Sequence, residues 1–173
     1  MNKLTFPNLK VAIVGCGNMA RVHARLLAHY VLKENIAVCD NDQLRLDDFA
    51  KTFSISNKFN NLNQLLGEFK PDVVHIVTPP GLHATLAVQC LAKGCHVLIE
   101  KPMCLTLKEA DDIIAFAKKN KRSVCVDHMR VCDPLTIKAK NILASGQLGE
   151  IVNVDVNYSY DYLKRIHSDP GVQ

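Results

Sequence analysis

The sequence predicts an α/β protein: a doubly wound, mostly parallel sheet, followed by the start of a second α/β domain. Three observations predict it. Short apolar runs alternate with amphipathic helical stretches over most of the chain. The runs are continuously apolar rather than alternating, as strands of a parallel sheet covered on both faces must be. The first run ends in Gly15-Cys16-Gly17, a turn that leads straight into a helical stretch.

The elements follow in order. Residues 10–14 are a β-rich run, and residues 18–32 form a helix with Val22, Leu26 and Leu27 on one stripe. Residues 36–39 are a second strand closed by Asp40, residues 42–53 a helix, and residues 61–69 a shorter helix. Residues 73–77 are a β-branched strand that Thr78-Pro79-Pro80-Gly81 must break. A helix over 82–93 leads to a strand over 95–99, which runs into Glu100-Lys101-Pro102. Thr106 with Glu109 is a capping box for a helix reaching about Asn120, and residues 123–127 are a further strand. Right-handed crossovers make this a doubly wound sheet over residues 1–128.

The rhythm changes in residues 129–173. Residues 134–144 predict a helix stopped by Ser145-Gly146, and residues 150–158 alternate apolar and polar. That alternation predicts a half-exposed first strand of a second sheet, which needs a partner strand to be stable. The segment 150–160 would therefore favour association between copies of the chain.

Composition narrows the function. Charged residues make up 22%, the net charge is +4, and no basic block stands apart from Lys118-Lys119-Asn120-Lys121-Arg122. That run is the solvated end of a helix, so nucleic-acid binding is not expected. No apolar stretch reaches the roughly 18 residues of a membrane span, and the N-terminus lacks the apolar core of a signal peptide. The seven cysteines include no C-x-x-C pair. They predict reduced, buried thiols of a cytoplasmic protein and no metal site.

The motifs point to a nucleotide. Gly15-Cys16-Gly17-Asn18-Met19-Ala20 fits G-x-G-x-x-G/A between a strand and a helix. Gly15 permits the tight turn, Gly17 lets the backbone approach a pyrophosphate, and Asn18 and Met19 open the helix whose N-terminus favours phosphate. Asp40 ends the next strand, where a carboxylate accepts ribose hydroxyls and repels a 2′-phosphate. This favours NAD over NADP. Arg45 argues the other way, although a solvated helix residue is its simpler role. Thr78, Pro79 and His83 follow the fourth strand, where ligands bind in such sheets. His83 would either contact ligand or cap its helix. His75 and His96 are expected as satisfied strand histidines, and His23 and His29 on the helix surface.

Glu100-Lys101-Pro102 is the most unusual feature, two opposite charges and a proline after a buried strand. Lys101 is placed to polarise or deprotonate a substrate hydroxyl as hydride leaves its carbon. Glu100 would orient Lys101 or hold the nicotinamide ribose. A surface ion pair beside a proline is the plainer alternative.

Together these segments resemble the Gfo/Idh/MocA family of nicotinamide-dependent oxidoreductases. The matching pieces are residues 14–20, Thr78-Pro79-Pro80-Gly81-Leu82-His83, Glu100-Lys101-Pro102 and Ser145-Gly146-Gln147-Leu148-Gly149-Glu150-Ile151, in the family's order. The resemblance implies an N-terminal NAD(P)-binding Rossmann domain and a C-terminal α/β domain with an open sheet. It implies dehydrogenation of a sugar, inositol or nucleotide sugar, a small polyhydroxylated substrate. It assigns Lys101 to the reacting carbon and Arg130 to the vicinity of cofactor and substrate. It also implies a later Gly-rich turn, Asp and His in the second domain. His167 and Asp169 precede that position and read as loop residues, so Lys101 is expected to be one part of a larger catalytic arrangement. The alternatives are a dinucleotide-binding module without turnover and an interaction protein pairing through the last strand.

Overall fold

A computed structural model describes residues 5–157. It contains a six-stranded parallel sheet of β1 (Val11–Val14), β2 (Ile36–Cys39), β3 (Asn57–Phe59), β4 (Val73–Ile76), β5 (His96–Ile99) and β6 (Val124–Val126). The order is β3-β2-β1-β4-β5-β6, with the direction of winding reversing between β1 and β4. Ligand crevices of such sheets open at that switch, beyond the strands' carboxyl ends.

Five helices belong to this unit: α1 (Asn18–Leu27), α2 (Gln43–Phe53), the single turn α3 (Leu62–Gln64), α4 (His83–Ala92) and α5 (Leu107–Asn120). Asp42 caps α2 by accepting the Arg45 N–H, and Thr106 and Glu109 form the expected capping box on α5. Alternate residues of β1 and β2 serve two cores. Val11, Ile13, Ile36 and Val38 pack with Leu46, Phe49 and Ala20 in one. Ala12, Val14, Ala37 and Cys39 pack with Leu91, Ile113 and Phe69 in the other. Burial on both faces is why these strands lack a period of two in sequence.

Five expectations are corrected. α1 ends at Leu27 rather than near Leu32, and residues 61–69 split into α3 and a π-helical turn over Leu65–Phe69. β3 has no counterpart in the sequence reading: it is three residues long, polar and at the sheet edge, where a ladder to β2 suffices. The sheet is not covered evenly, because β4 and β5 alternate buried with half-buried residues and β6 is half-buried to exposed. Residues 151–157 adopt no strand and are exposed, since no described strand offers them a ladder. Tyr158, His167 and Asp169 lie outside the described residues.

The chain divides into one unit over residues 1–127 and another over residues 128–173. The described part of the second unit holds a short turn over Met129–Cys132, which carries the exposed Arg130, and α6 (Pro134–Ala144), capped by Asp133. Among the described residues no helix is long and apolar enough to cross a membrane.

Candidate dinucleotide site

A cavity of about 670 Å³ opens where β1, β2 and β4 end. Its floor is the Gly15–Met19 turn, and Asp40, Arg45, Thr78 and Pro79 stand on its walls. Seven of the expected contact residues (Gly15, Gly17, Asn18, Met19, Asp40, Thr78 and Pro79) therefore meet, although they come from three separate strand ends.

Local backbone explains the turn. Gly15 has φ +96°, a left-handed value that side chains disfavour, and its N–H donates to the Cys39 carbonyl at 2.8 Å. A Cβ there would lie 2.5 Å from the Val77 carbonyl oxygen, so the turn can press against β4 only as glycine. Gly17 has no left-handed constraint, and a Cβ on it would meet nothing within 4 Å. It caps α1 without a side chain, leaving the helix start open to the cavity. That is the cradle a pyrophosphate needs.

Asp40 is buried, and both carboxylate oxygens accept backbone N–H groups. Oδ2 accepts from Cys16 at 2.8 Å and Oδ1 from Asp42 at 2.9 Å. Each oxygen keeps a lone pair for a ribose hydroxyl. Arg45 is exposed, as expected of a helix residue, yet it also borders the cavity. Its guanidinium lies 3.4 Å from Asp42 and 3.9 Å from Asp40. Cys16 and Cys39 line the cavity as inert thiols: burial first, then the Asp40 charge, pushes them up to about 12 and about 11.

Thr78 Oγ1 is buried at the cavity wall without a hydrogen-bond partner. Buried hydroxyls are normally satisfied, so this atom is a candidate contact for a ligand. His83 does not line the cavity. It is 1% exposed, with Nδ1 and Nε2 each 2.8 Å from a backbone carbonyl, those of Pro102 and Thr78. It ties the loop after β4 to the turn after β5, and it does not cap α4 with its side chain.

The Lys101-Pro102 peptide is cis. Lys101 itself is exposed: it stands past the end of β5, beyond the packed layers. Glu100 is turned inward and buried, its Oε2 accepting the Lys101 N–H at 3.1 Å. Neither residue lines the cavity. Arg130 belongs to the other unit.

The sequence reading missed one partner. His23 is 6% exposed, not a helix-surface residue. Its Nε2 lies 3.2 Å from Glu100 Oε1 and 3.6 Å from Asp127 Oδ2, and its Nδ1 lies 2.9 Å from His75 Nδ1. The signal available was its spacing: three residues after the buried Ala20, it falls on the same inward face of α1. The ligand atoms of His23, Glu100 and Asp127 lie within 4.8 Å of one another, a spacing that a small cation also permits. A ring proton on Nε2 donated to Glu100 accounts for the contact by hydrogen bonding alone. His29, by contrast, is exposed as expected.

Burial and, second, the His23 charge push His75 down to about 4, against an ordinary 6.5. Between these values the unfolded chain binds a proton that the folded chain refuses. Stability is thus fully present above 6.5 and lost as pH falls toward 4. We expect a loss of at most about 3 kcal/mol from this group. Chemical denaturation at stepped pH should show that slope, and His75→Asn should flatten it.

Comparison with known proteins gives a consistent picture. A family model described as "Oxidoreductase family, NAD-binding Rossmann fold" matches residues 9–128. The chain is 34% identical over 145 residues to inositol 2-dehydrogenase of Salmonella typhimurium, covering 82% of this chain and 43% of that protein. It is 30% identical over 151 residues to D-glucoside 3-dehydrogenase of Escherichia coli, covering 86% and 42%. Among solved structures, scyllo-inositol dehydrogenase of Lactobacillus casei with bound NAD(H) and scyllo-inositol superposes with a TM-score of 0.75 at 26% identity, covering 83% of this chain and 43% of that one. The chain spans about two fifths of the length of the curated relatives it matches.

Proposed function

The chain belongs to the Gfo/Idh/MocA oxidoreductase family, with the NAD-binding Rossmann fold, and from that premise we propose that it is the cofactor-binding part of an NAD-dependent dehydrogenase. Its substrate class is a sugar, inositol or nucleotide sugar oxidised at a CH–OH group. The observation that carries this reading is the cavity at the β1/β4 switch, with Asp40 on one wall and the unpartnered Thr78 hydroxyl on another.

The residues present fit a dinucleotide. The Gly15–Met19 turn and the start of α1 suit the pyrophosphate, Asp40 the adenosine ribose, and Thr78 with Pro79 the nicotinamide half. Bound NAD would supply the hydride acceptor. Asp40 favours NAD over NADP, because its carboxylate is held in place by two backbone donors and would face a 2′-phosphate. Arg45 does not offset this, since its charge is shared with Asp42 and Asp40.

Lys101 is the residue that would act at the substrate, accepting or polarising the hydroxyl proton as the carbon loses hydride. Its exposed position keeps the side chain available for that contact. Relatives named for inositol and glucoside substrates support a polyhydroxylated ligand.

Isothermal titration of the chain with NAD and NADP tests the reading. NAD should bind more tightly than NADP. Asp40→Ala should weaken NAD by roughly tenfold to a hundredfold, the worth of one or two hydrogen bonds to a charged group. Lys101→Ala should leave NAD binding unchanged while removing any turnover of a polyol panel. Binding of neither dinucleotide would end the proposal. A second reading, dinucleotide binding without turnover, is favoured by the position of Lys101 outside the cavity lining and would be established by NAD binding with no polyol oxidised.

A further inference from the structure

We propose that His23 is a positioning residue for Lys101: through Glu100 it fixes the peptide at the end of β5 from which the lysine side chain projects. The inference rests on the reading of Lys101 as the residue at the reacting carbon.

The argument starts from donors and acceptors. A carboxylate only accepts, so the contact between His23 Nε2 and Glu100 Oε1 at 3.2 Å places the ring proton on Nε2. A protonated His23 would also donate from Nδ1 to His75; with His23 neutral, Nδ1 carries a lone pair and accepts from Nδ1–H of His75 at 2.9 Å. That proton is available on a neutral His75, and burial keeps this imidazole neutral. The two rings stand 77° apart, with centroids 5.1 Å from each other. The contacts therefore run in one line, from His75 on β4 through His23 on α1 to Glu100 at the end of β5.

Glu100 is filled from the other side by the Lys101 N–H at 3.1 Å. Its own N–H donates to the Ile76 carbonyl at 3.0 Å, so backbone and side chain are both held. A buried carboxylate bound at both oxygens has one favourable rotamer. Removing His23 leaves half of it unpaired, and a buried unpaired charge must rearrange or draw in water. The nearest group to rearrange is the Lys101 amide. Asp127 Oδ2, 3.6 Å from His23 Nε2, is a competing acceptor that keeps the ring in the same pocket.

The same contacts would also arise in a polar cluster that merely pins α1 to the sheet. The two roles differ at Lys101. Hydrogen exchange of the Lys101 amide and acylation of its amine, read residue by residue in the full chain, separate them. Lys118 and Lys119 on α5 serve as internal references.

In His23→Leu, exchange of the Lys101 amide should quicken roughly tenfold or more, as one protecting hydrogen bond loosens. Acylation of Lys101 should shift with it while the reference lysines stay constant. His23→Gln, whose amide can still donate to Glu100, should restore most of both. Glu100→Gln should reproduce the quickened exchange, and it decides the matter if His23→Leu does not fold. Folded His23→Leu and Glu100→Gln proteins with unaltered Lys101 exchange would overturn the proposal. So would a rise in the melting temperature with zinc ions that His23→Gln abolishes, because the three side chains would then be a cation site. Failure of the wild-type chain to bind NAD would defeat the functional reading and leave the exchange comparison intact.

Discussion

Gly15→Ala is expected to abolish dinucleotide binding and to lower stability by about 2–5 kcal/mol, the combined cost of a left-handed side chain and an overpacked contact. The new methyl would sit 2.5 Å from the Val77 carbonyl oxygen and 3.1 Å from Thr78 Cγ2. Backbone cannot yield there, because the Val77 N–H is itself bonded to the Val14 carbonyl at 2.8 Å. The turn would have to lift away from β4, taking the start of α1 with it and parting the walls of the cavity. Gly17→Ala is the informative contrast. Its methyl enters open space, so the protein should fold with near-normal stability. That space is where a pyrophosphate would approach, so NAD binding should still weaken. Guanidinium unfolding and titration with NAD, run on both variants, check the pair. Equal effects of the two substitutions would show that the glycines do not divide these tasks.

Phe49→Ala should cost about 3–5 kcal/mol, the usual loss for a fully buried aromatic. Phe49 is 0% exposed and packs among Val11, Ile13 and Val38 under α2. Its ring stacks tilted on Phe53 at 4.7 Å, with the Arg21 guanidinium 5.8 Å from its centroid. Arg21 is also paired with Asp48 at 2.9 Å, joining α1 to α2. Truncation therefore leaves a cavity and loosens the helix that carries Arg45 to the wall of the site. Thermal unfolding should report the loss directly. Phe49→Leu, which refills most of the volume, should recover more than half of it.

Much of the site was legible in the residues. Glycine spacing, a strand-ending Asp40 and the Glu100-Lys101-Pro102 triplet are local patterns, and each marks the carboxyl end of a strand. In a parallel sheet all those ends lie on one edge, so strand assignment alone brings Gly15, Asp40 and Thr78 together. The capping box was legible for the same reason: Thr106 and Glu109 need only their own backbone.

Other features were hidden because they depend on contacts across the chain. β3 is polar and three residues long, and it is a strand only because β2 offers it a ladder. His83 gave no sign that it would bridge Thr78 and Pro102. The alternating stretch after Glu150 has a strand's pattern, yet residues 151–157 form none, since a ladder requires a second strand that the pattern cannot supply.

What the sequence by itself determined was the order of elements, the parallel sheet and the edge at which a dinucleotide would bind. These follow from hydrophobic period, β-branching and turn chemistry, which act over a few residues. Only the tertiary structure decided the company of Lys101. His23 and Glu100 are 77 residues apart and His23 and His75 are 52 apart. Their meeting depends on which face of α1 lies over β4 and on the register of β4 with β5. Burial of a histidine is set by what packs against it, and no local pattern encodes that partner.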